Sequence, residues 1–318
     1  MSTEKINLRE PFIDELIQIA AQDDRIVVVD PDVGSATRTW RFGEVYPDRF
    51  FELGIAEQNA FGVAAGLAAS GRTVVAATFA VFASMRAAEM IRTSICYPKL
   101  NVKVVGGYAG LSNGKDGATH QSVEDIAIMR SFANQVVMIP SDPVLARKMI
   151  RAAVNYQGPV YIRVEYGAVP TFYREDLEFE IGKGYGMKEG TDVTVVSFGL
   201  ALARTMEAAN QLAAEGIHVE VIDMPTIKPF DKELLLKSVQ KTGAVVTVEE
   251  HNIIGGLASV VSETLVGAHV NPYFKGLGIP DVYTESGTTD KLRIKYGIGL
   301  ESIIHAIKEL AAAKKGAK

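Results

Sequence analysis

Short β-branched runs at residues 26–29, 73–77, 102–105, 136–139 and 160–164 alternate with segments of helical periodicity at 9–21, 58–69, 84–96, 123–130 and 143–155. The β-branched runs are too short for helices and read as strands buried on both faces. A strand separated from the next by a helix pairs with it in parallel, through a right-handed crossover. The alternation therefore predicts an α/β domain. It stops after residue 167, where Pro170, Glu175, Asp176, Glu178 and Glu180 precede Gly182, Gly184, Gly186 and Gly190. It resumes with strands at 193–197, 218–222 and 244–248 and helices at 201–215, 232–241 and 257–266. The expectation is two consecutive α/β domains with mainly parallel sheets flanked by helices: residues 1–172, a linker over 173–190, and residues 191–318.

A chain of 318 residues is long enough for two cores. Its formal charge of -5 leaves no basic patch for nucleic acid, apart from Lys314, Lys315 and Lys318 in a tail expected to fray. The small-apolar run at 60–69 is about half the ~20 residues of a bilayer span, and no signal-peptide pattern opens the sequence. No membrane association and a cytoplasmic location are expected. The single cysteine, Cys96, excludes intrachain disulfides and cysteine-based metal sites.

Three segments carry candidate chemistry. Residues 51–60, Phe-Glu-Leu-Gly-Ile-Ala-Glu-Gln-Asn-Ala, place Glu57 at the start of a helix whose Gly62 and Gly66 share one face. Taken alone, Glu57 is a first-turn glutamate favoured by the helix dipole. Residues 78–82, Thr-Phe-Ala-Val-Phe, set Phe79 and Phe82 three apart, where their rings can share a face. Residues 114–121, Gly-Lys-Asp-Gly-Ala-Thr-His-Gln, put Asp116 and His120 on a glycine-rich loop after a strand. By spacing alone the aromatic pair suits a core as well as a ligand, and a loop histidine need do nothing.

In order and spacing, these segments resemble the pyrimidine-binding domain of transketolases. Residues 192–199 and 249–257 are similar to the transketolase C-terminal domain, so the resemblance covers nearly the whole chain. It implies a subunit of a thiamine diphosphate enzyme that transfers a two-carbon ketol unit from a ketose to an aldose. Glu57 then hydrogen-bonds the pyrimidine ring so that the cofactor's own amino group can take the thiazolium proton. Phe79 and Phe82 cradle the ring, with Met85 where the family offers a tyrosine. His120 and Asp116 contact sugar hydroxyls, and His120 assists proton transfer. Asp32 resembles the aspartate near the thiazolium, and a plain turn aspartate is an equal reading. His251 reads as structural. A β subunit of a 2-oxo acid dehydrogenase shares the layout, and a noncatalytic regulatory paralogue is a third reading.

Two departures matter. The family grips a sugar phosphate with two arginines, a serine and a histidine. Here Arg9 matches the first arginine, Ala36 beside Ser35 stands at the serine, Tyr108 at the histidine and Tyr166 at the second arginine, with Arg163 nearby as a substitute. At ~1.5–3 kcal/mol per charged hydrogen bond, losing three donors predicts a sulfonated, unphosphorylated or branched sugar. The family's Gly-Asp-Gly device for diphosphate and Mg²⁺ (or Ca²⁺) is also missing from the sequence. An N-terminal transketolase subunit carrying it is therefore the expected partner, most simply in an α2β2 assembly.

Overall fold

The computed structural model of the chain describes residues 4–316. Its first sheet has seven strands in the order Thr226–Lys228, Val136–Met138, Val160–Val164, Val102–Gly107, Thr73–Phe79, Ile26–Asp30 and Phe50–Glu52. All neighbours are parallel except the first pair. Alternate residues divide between its faces, as a pleat requires. Val27, Val29, Val74 and Ala76 enter one core cluster, while Ile26, Val28, Val75 and Ala77 enter another. The second sheet runs Tyr273–Ile279, Ala244–Asn252, Val193–Ser197, Val219–Asp223 and Tyr185–Lys188, antiparallel only at the last pair. Two α/β units with mainly parallel sheets flanked by helices are thus observed. No helix among the described residues is long and apolar enough to cross a membrane.

Three local features differ from the sequence expectation. The helix expected over 84–96 is wound with wide turns, Ala87 N donating to Phe82 O and Tyr97 N to Arg92 O, both at 3.0 Å. Such π-turns insert an extra residue per turn and recur near functional sites. The tail is not frayed over the described residues: the helix Leu300–Gly316 continues through it, and Lys314 Nζ donates to the carbonyls of Thr191, Asp192 and Thr242. Lys318 lies outside the described residues. The strand Thr226–Lys228, from the second half of the sequence, closes an edge of the first sheet, with Ile139 N donating to Pro225 O at 2.8 Å beside it.

The junction between the two sheets is polar and buried. Arg163 Nε donates to Asp125 Oδ2 at 2.9 Å, Nη1 to Glu165 Oε1 at 2.5 Å and Nη2 to Glu250 O at 2.8 Å. The Glu250 carboxylate accepts from Arg204 at 2.7 Å and from Arg293 at 2.6 Å. Burial alone would raise this carboxyl, but the two guanidinium groups outweigh it and hold it down to about 2.

Candidate active site

A parallel sheet collects its sites at the carboxyl ends of its strands, and the candidate residues gather there. Phe79 ends the strand Thr73–Phe79, and Phe82 opens the π-turn that follows. Their rings are stacked, 5.8 Å apart at 13°. His120 stands edge-on to both, 5.3 Å from Phe82 and 6.1 Å from Phe79, and its Nδ1 shares a 2.9 Å hydrogen bond with Thr119 Oγ1. Glu57 begins the helix Glu57–Ala69 and is 8% exposed. Among the described residues nothing hydrogen-bonds or pairs with its carboxylate. Gln58, Phe82, Met85 and Thr119 line a cavity of about 450 Å³ on this side.

A second cluster continues from the first. Tyr108 lies 4.9 Å from Phe79 and stacks on Tyr166 at 4.8 Å and 19°. Tyr108 is held at φ 54°, a left-handed conformation that costs a non-glycine residue ~1–3 kcal/mol and tends to mark functional sites. Arg9, 7% exposed, donates from Nη1 to Tyr108 Oη at 2.9 Å and to the Ala36 carbonyl. Its guanidinium carbon sits 4.3 Å from the centre of the Tyr166 ring. The Ala36 backbone thus supplies an acceptor where the family has a serine side chain.

Other candidates stand apart. Asp32 is exposed at φ 63°, in a turn held by its neighbour Asp30, whose carboxylate accepts from Val33 N at 2.7 Å and from Thr39 Oγ1. Burial pushes the Asp30 carboxyl up. Asp116 is exposed on its loop and lines a cavity shared with Tyr108 and Tyr166. Arg163 corrects the expectation that it replaces an anion ligand. It is 0% exposed, and all three of its guanidinium nitrogens are taken up by the junction. Among the described residues, no group of three or more His, Cys, Asp or Glu side chains is arranged to hold a metal.

Residues 4–171 match the family model for the transketolase pyrimidine-binding domain, and residues 182–303 match that for the transketolase C-terminal domain. The chain belongs to the transketolase family. It is 39% identical, over 96% of its length and 95% of the relative's, to the 6-deoxy-6-sulfo-D-fructose transketolase subunit SqwH of Clostridium sp.. It is 38% identical to an apulose-4-phosphate transketolase subunit of Phocaeicola vulgatus, over 95% of this chain and 97% of that protein. A solved split gene transketolase, described as an inactive beta4 tetramer, superposes with a TM-score of 0.90 at 44% identity, covering 96% of this chain and 99% of that one.

The second domain of this transketolase-family chain grips the loop that bears Asp116 and His120. Gln121, 2% exposed, donates from Nε2 to Gly114 O and Glu285 O, both at 3.1 Å. Gly287 N donates to Gly114 O at 2.9 Å, and Thr289 Oγ1 to Leu111 O at 3.3 Å. The approach is so close that a Cβ on Gly114 would lie 2.5 Å from Gly287 O. Gln121 directly follows His120, so its position was the one available signal. Nothing near residue 285 marks the other half.

Proposed function

We propose that the chain is the cofactor-activating subunit of a split transketolase, moving a two-carbon ketol unit from a ketose to an aldose. The observation that carries this is the buried carboxylate of Glu57, unpartnered among the described residues, at the start of a helix whose next residue, Gln58, lines one cavity with Phe82 of the aromatic pair. A free acceptor next to flat apolar surfaces fits the aminopyrimidine end of thiamine diphosphate. When bound, that cofactor supplies an electron sink for the carbon–carbon bond that breaks. Glu57 would share a proton with the pyrimidine nitrogen, and Phe79 and Phe82 would pack the ring. His120, its Nδ1 engaged by Thr119, has Nε2 available to take a proton from a sugar hydroxyl and return it. Asp116 would accept from sugar hydroxyls. Asp32 is assigned to the thiazolium side of the cofactor.

The diphosphate and its Mg²⁺ or Ca²⁺ are assigned to an N-terminal partner subunit, in an α2β2 complex. Support comes from relatives of matching length that are themselves named subunits of transketolases. Those names also favour this reading over a 2-oxo acid dehydrogenase. The far end of the sugar falls to Arg9, Tyr108 and Tyr166. One guanidinium and a phenol hydroxyl balance a monoanion or a neutral group, whereas a phosphate dianion needs more cationic donors. A sulfonated or unphosphorylated sugar is therefore the preferred substrate class.

The test mixes the chain with its partner and follows cofactor binding by circular dichroism and turnover by coupled assay. Glu57→Ala is expected to lower kcat by about 10²-fold or more. Full activity of that variant sinks the reading. In a donor panel, equal kcat/KM for a ketose phosphate and its sulfonate counterpart would refute the substrate class alone.

A further inference from the structure

The 2.9 Å hydrogen bond between Thr119 Oγ1 and His120 Nδ1 joins two groups that can each donate or accept. Its direction decides what His120 can do. If Thr119 donates, the neutral ring carries its hydrogen on Nε2 and has no lone pair there for a sugar proton. If Thr119 accepts, the hydrogen sits on Nδ1 and Nε2 is bare. In ketol transfer the hydroxyl proton of the donor sugar would move to Nε2 as the carbon–carbon bond opens, leaving an imidazolium with a hydrogen on each nitrogen. It would return from Nε2 to the oxygen of the new sugar. Nδ1 keeps its hydrogen through both halves, so Thr119 has to accept throughout.

A hydroxyl that accepts from Nδ1 still has its own hydrogen to place. Thr119 Oγ1 has no second partner among the described residues. Thr119 lines the cavity of about 450 Å³ together with Gln58, Val81, Phe82, Met85 and Arg86. Gln58 and Arg86 are exposed and unpaired among the described residues, and no carboxylate stands among the lining groups. Such a wall suits a ligand atom that has lone pairs and no hydrogen of its own, to which Arg86 and Thr119 can both donate. The imidazole is held meanwhile. It stands edge-on to Phe79 and Phe82, and its backbone is tied by His120 N and Gln121 N donating to Gly117 O, both at 3.0 Å.

We propose that Thr119 is a positioning residue that couples this cavity to His120. A ligand acceptor in the cavity draws the Thr119 hydrogen, turns the oxygen's lone pair to Nδ1 and so holds His120 in the tautomer whose Nε2 can take a proton. Water in the cavity donates as readily as it accepts, and leaves both directions of the bond populated. A carboxylate partner would fix the tautomer at all times. A threonine fixes it only when the site is loaded. The proposal rests on the transketolase reading for the use His120 makes of Nε2, and not for the tautomer itself.

The test uses the reconstituted complex with the histidines of this chain isotope-labelled, and thiamine diphosphate with Mg²⁺ as the probe. Solid-state NMR reads which ring nitrogen carries hydrogen, and His120→Gln assigns the signal. Loading is expected to move His120 from a mixture of tautomers to the one with hydrogen on Nδ1 and a bare Nε2, and Thr119→Val to abolish that change. In turnover, Thr119→Val should lower kcat about 10-fold, roughly the bias of one hydrogen bond, with KM for the donor within about twofold, and Thr119→Ser should restore kcat. The proposal is overturned by a loaded native complex with hydrogen on Nε2, by identical spectra for the native complex and Thr119→Val, or by Thr119→Ser as slow as Thr119→Val. A Thr119-dependent change of tautomer in a complex without ketol transfer instead overturns the transketolase reading and leaves the coupling standing.

Discussion

Arg9 reaches the far end of the site through a stem fixed on two sides, hydrogen-bonded to Tyr108 and Ala36 and lying over the Tyr166 ring. A planar guanidinium can stack and donate at once, whereas an ammonium is a point charge. Arg9→Lys therefore keeps the charge and loses the geometry. Steady-state kinetics of the complex should show KM for an anionic donor raised about 10-fold, with kcat nearly unchanged. A fall in kcat with KM constant would show that Arg9 acts on the reacting carbons instead. His251 carries a prediction of another kind. It is 0% exposed, its Nδ1 donates to Asn252 O at 2.7 Å and its Nε2 accepts from Ala127 N at 3.3 Å, and burial pushes it down to about 4. The folded state therefore holds the neutral ring, and the unfolded chain binds the extra proton between about pH 6.5 and 4. Stability is lost as pH falls through that window, by about 3 kcal/mol from this one group. Urea titrations across it should show His251→Asn with a shallower pH slope than the native chain.

Among the elements, the loop 111–121 is held in place by a distant segment. Gln121→Ala removes the donor to Gly114 O and Glu285 O and leaves Gly114 O with Gly287 N alone, a cost of about 1 kcal/mol. Hydrogen exchange should rise over 112–120 while the strand Thr73–Phe79 stays protected, and unchanged exchange in the loop would refute the role. This dependence was not readable from sequence, because the two halves lie far apart in the chain and neither has a pattern of its own. The inner strands were readable for the opposite reason: buried on both faces, they need mainly apolar residues, and Ile26–Asp30, apolar up to Asp30, and Val160–Val164, apolar but for Arg163, show it. Outer strands carry weaker signals. Phe50–Glu52 is three residues long and partly exposed, and Tyr273–Ile279 contains Gly276 and Gly278. At Gly278 a Cβ would lie 2.9 Å from His251 O, so close packing, rather than strand propensity, chose the residue. In the site, Glu57, Phe79, Phe82 and His120 were legible as a motif. The engagement of Arg163 elsewhere was not, because two of the groups that claim it, Asp125 and Glu250, come from distant segments of the chain.

At the scale of the molecule, two sets of ion pairs largely withdrawn from water face each other where the units meet. Arg163 is held by Asp125 and Glu165 in the first unit and Glu250 by Arg204 and Arg293 in the second, and the sets are bridged by Arg163 Nη2 donating to Glu250 O and Leu200 N donating to Glu165 Oε2. Pairs of this kind contribute modestly when intact, but removing one partner strands the others, at about 3–5 kcal/mol. Arg163→Met should lower the unfolding free energy by that amount and shift a single urea transition for both domains. Two separated transitions, with only the first shifted, would show that the junction does not couple them. The strand Thr226–Lys228 has a further consequence. It belongs by sequence to one unit and by hydrogen bonding to the other, so the boundary at which the chain could be cut is not the boundary at which the sheet ends. A chimaera that joined this first domain to a foreign second one at the linker would bare the strand Val136–Met138 along a row of unpaired amides, an invitation to aggregate. In recombination, natural or engineered, the heritable module is the first domain together with the short segment that borders it from far downstream.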